Sequence, residues 1–299
     1  MTQSPSTAMP MCYRHPARET YVRCTRCDRP ICPDCMVVAS VGHQCPECVA
    51  EGQRSIRPAR TAFGGGTSGE RGYVTTTLIV LNVFALLLAG LIGGAAAIFS
   101  GGLFTGVTPV LEYGGMLGAR FLSDGQIHGM AVGEYYRLFT NIFLHYGIFH
   151  LLMNMWALWV LGRVLEAALG PARFLALYLV AGLGGSVAMY LSSDPRSLGA
   201  GASGAIFGLF AALFLILKRM RRDTSSVVPI LVINIAITFL VPGISVAAHL
   251  GGLVTGAIVA AGLAYAPRRL RTPVQVAVVA GTLLVLAVLV VVRTAALLA

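Results

Sequence analysis

Between Thr224 and Ala266 the chain contains no aspartate, glutamate, lysine or arginine. An apolar run of that length has no place on the surface of a soluble domain, and it is too long for one crossing of a bilayer, which takes about 20 residues. Pro242-Gly243 divides it into two crossings, Val227 to Val241 and Ser245 to Tyr265. Comparable apolar runs recur from Thr76 onward: Thr76 to Phe99, Gly147 to Leu165 with Arg163 near its inner end, Phe174 to Leu191, Ser203 to Leu217 and Val274 to Val292. The expectation is an all-α polytopic membrane protein with seven transmembrane helices, and a Gly-rich connection from the first span to Tyr136.

The charges support this reading. Only 11% of the 299 residues are charged, against 56% hydrophobic, where a soluble domain has about 25% charged. A net charge of +10 would suit nucleic acid, but these basic residues sit in clusters beside apolar spans, where they report orientation in a bilayer. With the N-terminus inside, 18 of the 22 Lys and Arg fall on the inner side and four (Arg120, Arg137, Arg196, Arg293) on the outer side. The expected location is a cell membrane, with a cytosolic N-terminus, an outer C-terminus and no nucleic acid partner. Met1 to Met11 show no signal-peptide pattern, and one lysine among 22 basic residues in an Ala, Gly and Val-rich chain hints at a GC-rich bacterial source.

All seven cysteines lie between Cys12 and Cys48, so they serve one local device. The pattern is Cys12-x2-His15, Cys24-x2-Cys27, Cys32-x2-Cys35, then His43 and Cys45-x2-Cys48. Each pair forms a knuckle supplying half of a tetrahedral site, so eight ligands imply two structural zinc ions. In a reducing compartment metal is favoured over disulfide. His43 makes nine candidates for eight places, and the last pair can be His43 with either cysteine. These residues resemble a B-box type zinc finger, which implies that alternate pairs share a metal: Cys12, His15, Cys32 and Cys35 at one ion, Cys24, Cys27, Cys45 and Cys48 at the other. Three sections are expected: this module over 1–50, a flexible cytosolic linker over 51–75 with four arginines and Gly64-Gly65-Gly66, and a membrane domain over 76–299. A closed zinc site on the cytosolic side suits the binding of a cytosolic protein partner.

Polar side chains at membrane depth cost free energy and mark function. Four stand out: His150, Asn154, Ser203 and His249. The second, fourth and sixth spans run from outside to inside, and at about 1.5 Å per residue all four residues fall in the outer third of the bilayer. Singly, such a serine bonds back to its own helix and such a histidine bridges helices; together they form a nucleophile, a base and two hydrogen-bond donors at one depth. Ser203 lies in Gly199-Ala200-Gly201-Ala202-Ser203-Gly204-Ala205, where small residues let backbone approach a substrate carbonyl and the unpaired N–H groups of a helix start can hold an oxyanion. His150 and Asn154, four apart, share one helix face. Gly204 and Gly208 on the fourth span, with Ala248, Gly252 and Gly256 on the sixth, permit close helix contact. No carboxylate lies in the spans at that depth, so a dyad is expected, with His249 oriented by packing.

Gly201-Ala202-Ser203-Gly204, Ala248-His249-Leu250-Gly251-Gly252 with Gly256, and His145, His150 and Asn154, in that arrangement, resemble the rhomboid family of intramembrane serine proteases from about Thr76 to the C-terminus. The resemblance implies a six-helix core, here with a seventh helix. It also implies Ser203 as nucleophile, His249 as base and then acid, and an oxyanion hole from His150, Asn154 and the Ser203 N–H. The implied substrates are transmembrane proteins cut near the outer face. Two positions depart from the family's pattern: Tyr136-Arg137 where Trp-Arg is frequent, which bears on how the first outer loop is anchored, and Phe207 where Tyr is frequent, which can stack on His249 without a hydroxyl. The competing expectation is a non-catalytic rhomboid-like protein that binds membrane clients. A transporter is disfavoured by the lack of intramembrane carboxylates and arginines.

Overall fold

The computed structural model describes residues 9–56, 59–67, 72–99 and 107–299. They fall into two compact units, Met1–Ala59 and Arg60–Ala299. Residues 1–8 and part of the Gly-rich connection after the first span lie outside the described residues.

The first unit is built around its cysteines. A two-stranded antiparallel sheet pairs β1 (Val37–Val38) with β2 (His43–Gln44), Val38 opposite His43. Helix α1 (Pro46–Ser55) follows, starting with proline, whose missing N–H is no loss at that position, and its first turn is capped by Cys45 Sγ accepting from Cys48 N–H. The buried core is Ile31 and six cysteines. So little apolar area cannot stabilise a fold of this size alone.

The second unit is helical: α2 (Tyr73–Gly93), α3 (Ala96–Phe99), α4 (Pro109–Gly114), α5 (Arg137–Thr140), α6 (Ile148–Leu169), α7 (Pro171–Ser192), α8 (Ser203–Arg219), α9 (Val227–Leu240), α10 (Val246–Tyr265) and α11 (Arg271–Leu298). A short antiparallel hairpin of β3 (Arg120–Phe121) and β4 (Ile127–His128) lies in the connection between α4 and α5. Among the described residues, α2, α6, α7, α10 and α11 are long and apolar enough to cross a membrane, and α9 is a shorter apolar helix. With the 17-residue α8 they correspond to the seven runs read from the sequence. The chain is a polytopic all-α membrane protein.

Helices α7, α8 and α10 form the centre, α6 packs on α8 and α7, α2 packs on α6, and α11 packs on α7 and α10. Leu158, Leu177, Tyr178, Leu209 and Val259 meet in one core without exposure. Glycine sets the spacing. A Cβ on Gly252 would lie 2.0 Å from Gly204 O, and one on Gly256 would lie 2.3 Å from Gly208 Cα, so α8 and α10 touch backbone to backbone. In contrast, α9 buries only Val227 and Thr238.

Two local features depart from the sequence reading. The first span was expected to run to Phe99, but α2 stops at Gly93 because Gly94 turns with φ +76°, and α3 restarts at Ala96. The second concerns 51–75, expected as a flexible linker. Residues 51–55 complete α1, and 60–66 form a turn in which Gly65 N–H donates to Thr61 Oγ1 at 2.9 Å and Phe63 is buried in the membrane core. Gln275 Nε2 donates to Phe63 O and Arg271 Nη1 to Ala62 O, each at 3.3 Å. The glycine run explains the docking: a side chain on Gly65 would collide with Leu169 O at 2.0 Å.

The start of α2 has no side-chain cap of its own, since its N-cap is Gly72. Glu166 of α6, fully buried, accepts from Val74 N–H at 3.0 Å, Thr75 N–H at 2.8 Å and Thr75 Oγ1 at 2.7 Å. A carboxylate taking three hydrogen bonds supplies the anion that the positive helix end favours.

Candidate active site

Ser203 opens α8, and the turn before it is shaped by Gly201 at φ +135°, a conformation that L side chains rarely adopt. Space requires the glycine as well: its missing Cβ would sit 2.7 Å from His150 Cε1, 2.9 Å from His150 Nε2 and 3.6 Å from Ser203 Oγ. The segment before the serine is held from two sides. Met116 and Gly199 exchange backbone hydrogen bonds, at 2.7 and 2.9 Å, and Gly201 N–H donates to Asn141 O at 2.9 Å. Asn141 is fixed in turn by donating to Ser186 Oγ of α7 at 2.9 Å. As the first residue of a helix, Ser203 has a backbone N–H with no partner one turn back.

One cavity of about 410 Å³ brings Ser203 and His249 together with His150, Asn154, Phe207 and Thr238. All but Ser203 are buried; Ser203 is half-buried. The cavity extends to Trp156 of α6 and Ile237 of α9, so it reaches across the gap beside the sparsely packed α9. Gly201 lines it, while Gly204, Gly252 and Gly256 act behind it by setting the α8 to α10 spacing.

His249 is gripped on two sides. Phe207, one turn after Ser203, stacks on the imidazole with ring centroids 4.1 Å apart and 19° between planes. Nδ1 of His249 lies 2.7 Å from Thr238 Oγ1 on α9. The expectation of orientation by packing thus gains a hydrogen bond that the sequence reading missed. A signal was present: Asn234 and Thr238 are the polar residues within Val227–Leu240, and the rule applied to His150 and Asn154 applies to them equally.

His150 stacks against Tyr146 at 5.8 Å and meets His145 edge-on at 5.0 Å. Tyr146 N–H reaches His150 Nδ1 at a long 3.5 Å, which leaves Nε2 as the ring donor facing Gly201. Asn154 Nδ2 donates to His150 O at 2.8 Å, and an amide nitrogen carries a second hydrogen for a further acceptor. Tyr146 Oη donates to Leu198 O at 2.7 Å, another tie on the segment before Ser203.

The connection ahead of α5 is anchored without tryptophan. Arg137 is fully buried; its Nε donates to Glu134 Oε2 at 2.6 Å, and its Nη1 to the carbonyls of Glu112 at 2.9 Å and Gly115 at 2.8 Å. Tyr136 supplies what its ring can, donating from Oη to Tyr113 O at 3.0 Å.

The cysteines gather into two quartets, Cys12, His15, Cys32, Cys35 and Cys24, Cys27, Cys45, Cys48, with the ligand atoms of each within 4.8 Å of one another. Four sulfurs each about 2.3 Å from one ion would stand about 3.8 Å apart. Cys27 Sγ and Cys45 Sγ are 3.8 Å apart, and His15 Nδ1 lies 3.8, 3.2 and 3.4 Å from the sulfurs of Cys12, Cys32 and Cys35. The donors fit a tetrahedral metal. His43 belongs to neither quartet; it lies in β2, where its carbonyl accepts from Thr25 N–H.

Fold and site together define a polytopic helical membrane protein with a serine at a helix start and a histidine on the facing helix, both lining one cavity. Residues 132–266 match the Rhomboid domain. The chain is 42% identical over 139 residues to the rhomboid protease GluP of Bacillus subtilis (strain 168), covering 45% of this chain and 27% of GluP. It is 38% identical over 133 residues to YdcA, a provisionally named rhomboid protease of the same organism, covering 43% of this chain and 67% of YdcA. The rhomboid protease AarA of Providencia stuartii is 30% identical over 181 residues, 51% of this chain and 64% of AarA. The chain belongs to the rhomboid family. It spans about a quarter of GluP and about two thirds of YdcA and AarA, and the cysteine module precedes the matched domain.

Proposed function

We propose that this chain is an intramembrane serine endopeptidase that cuts transmembrane segments of other membrane proteins near the outer face. The observation that carries the reading is the shared cavity, in which Ser203, His249, His150 and Asn154 converge from α8, α10 and α6. Ser203 Oγ attacks the scissile carbonyl carbon while its proton passes to His249. The oxyanion is held by the Ser203 N–H, His150 Nε2–H and the Asn154 amide. His249 then returns the proton to the leaving nitrogen, and water, activated by the same imidazole, releases the acyl group.

The physics of the substrate narrows its class. A helix in lipid hides its backbone, and opening it exposes amides at several kcal/mol each. The enzyme therefore favours weak helices, with a small residue before the scissile bond and a Gly or Pro nearby. Basic residues concentrated on one side support an N-terminus in the cytosol and a C-terminus outside. The Cys/His module fits a B-box-like finger binding two structural zinc ions, and its place ahead of the membrane domain suits recruitment of a cytosolic protein.

Purified chain incubated in detergent with a model transmembrane substrate tests the reading. Ser203→Ala and His249→Ala should each lower cleavage by about 10³-fold or more, and a fluorophosphonate should label wild type but not Ser203→Ala. Cleavage that survives Ser203→Ala would remove Ser203 from the chemistry. Client capture with no cleavage by wild type would make the chain a binding protein.

A further inference from the structure

Thr238 lies on α9, which buries little else, yet Thr238 itself is 3% exposed. Its Oγ1 stands 2.8 Å from Asn234 O, one turn back, and 2.7 Å from His249 Nδ1. A threonine in a membrane helix commonly bonds to the carbonyl four residues earlier, and that alone would be ordinary. The second contact changes the reading. A hydroxyl carries one hydrogen, and a carbonyl oxygen only accepts. Oγ1 can give that hydrogen to only one of its two neighbours; given to Asn234 O, it leaves an Oγ1 lone pair for His249, and Nδ1 then carries the imidazole hydrogen.

We infer that Thr238 is a positioning residue for His249, holding it as the Nδ1–H tautomer with the Nε2 lone pair left for Ser203. The inference rests on the Ser203/His249 reading above and assigns to a neutral hydroxyl on α9 the orienting task that a carboxylate performs in a triad. Phe207 fixes the plane of the ring, but a stacked ring can still flip by a half-turn about Cβ–Cγ, which puts Cδ2 in the place of Nδ1 and Cε1 in the place of Nε2. Only a directional partner at Nδ1 distinguishes the two. In the reaction, the Ser203 O–H bond breaks as Oγ bonds to the carbonyl carbon, and the proton goes to Nε2. The resulting imidazolium keeps its Nδ1–H on Thr238 until the Nε2 proton leaves for the departing nitrogen.

The link also has a topological side. Asn234 bonds to its own helix, to Ile230 O at 2.8 Å, whereas the Thr238 bond to His249 leaves α9 for α10. A displacement of α9 therefore acts on the base directly, without any change in α8 or α10.

The test uses the full chain in proteoliposomes with a cleavable transmembrane substrate and ¹⁵N-labelled histidine. Solid-state NMR of wild type should find neutral His249 protonated on Nδ1; protonation on Nε2 would overturn the inference even if no variant folds. Thr238→Val should lower kcat about tenfold, the scale of losing a partner that orients a functional histidine, with KM nearly unchanged and a mixed tautomer population. Thr238→Ser should recover most of the lost kcat. An unchanged kcat and tautomer in Thr238→Val would reject the positioning role, while full activity of Ser203→Ala or His249→Ala would instead reject the dyad.

Discussion

Phe207 covers His249 at 4.1 Å between ring centroids, one turn along α8 from Ser203. The helix that carries the proposed nucleophile therefore supplies the wall against which the proposed base rests. Removing that wall should both loosen the ring and open a void. Phe207→Ala is expected to destabilise the membrane domain by about 3 kcal/mol and to lower kcat more than KM rises, whereas Phe207→Tyr should keep the stack. Unfolding in mixed micelles and steady-state cleavage would read the two effects; an active, stable Phe207→Ala would show that the stack is dispensable.

The glycine contact between α8 and α10 makes a sharper prediction, because backbone cannot move aside as a side chain does. In Gly252→Ala the new methyl would meet Gly204 O at 2.0 Å, so the helices must separate, at a cost of about 1–3 kcal/mol. Activity should fall with stability, since the same spacing sets Ser203 against His249. Gly281→Ala on α11, where a Cβ meets nothing within 4 Å, is the matched control and should leave the melting temperature unchanged or slightly raised.

The hairpin connection ahead of α5 carries a pH-dependent clasp. His128 Nδ1 lies 2.7 Å from Glu134 and Nε2 lies 2.8 Å from Asp124, and only the doubly protonated ring can donate to both. The hydrogen bond to Glu134, then that to Asp124, raises the His128 pKa above its ordinary value. For a raised pKa the stabilisation is complete below the unfolded value, about 6.5, and is lost as pH rises through the higher folded value. Amide protection factors over 120–134, taken against the intrinsic base-catalysed rate, should therefore fall as pH rises above neutrality, and His128→Asn should flatten that dependence. Equal protection at about pH 6 and about pH 9, on either side of the transition, would contradict the clasp.

Metal analysis of the purified chain should return two zinc ions, falling to one in Cys35→Ser, since each quartet is a closed set. Strong chelation should unfold residues 9–56, whose core is largely its ligands, because binding free energy is folding free energy in such modules. The membrane domain should melt as before. One ion per chain in wild type would mean that one quartet serves another purpose.

The spans were legible because apolar length is a local property, and their ends agree with the helices to within a few residues at Ser203, Val227 and Ser245. His150, Asn154, Ser203 and His249 stand out in the sequence for a related reason, as polar groups against a lipid-compatible background, and the structure lines one cavity with all four. What escaped was everything decided by contacts between distant segments. Thr238 was passed over as one hydroxyl in an apolar run, Glu166 fell just past the expected end of its span, and the turn at 60–66 read as free chain because its anchors, Leu169, Arg271 and Gln275, lie over a hundred residues away.

Glu166 has a bearing on how the protein is made. The amino end of α2 presents amides that hydrocarbon cannot satisfy, and the carboxylate that receives them is synthesised about ninety residues later. Until α6 arrives, the leading turn of α2 has to stay in headgroup water, free to shift up or down. The depth of the first crossing is thus settled by the second, and a nascent chain truncated before Glu166 should hold its opening helix at no single level in the bilayer.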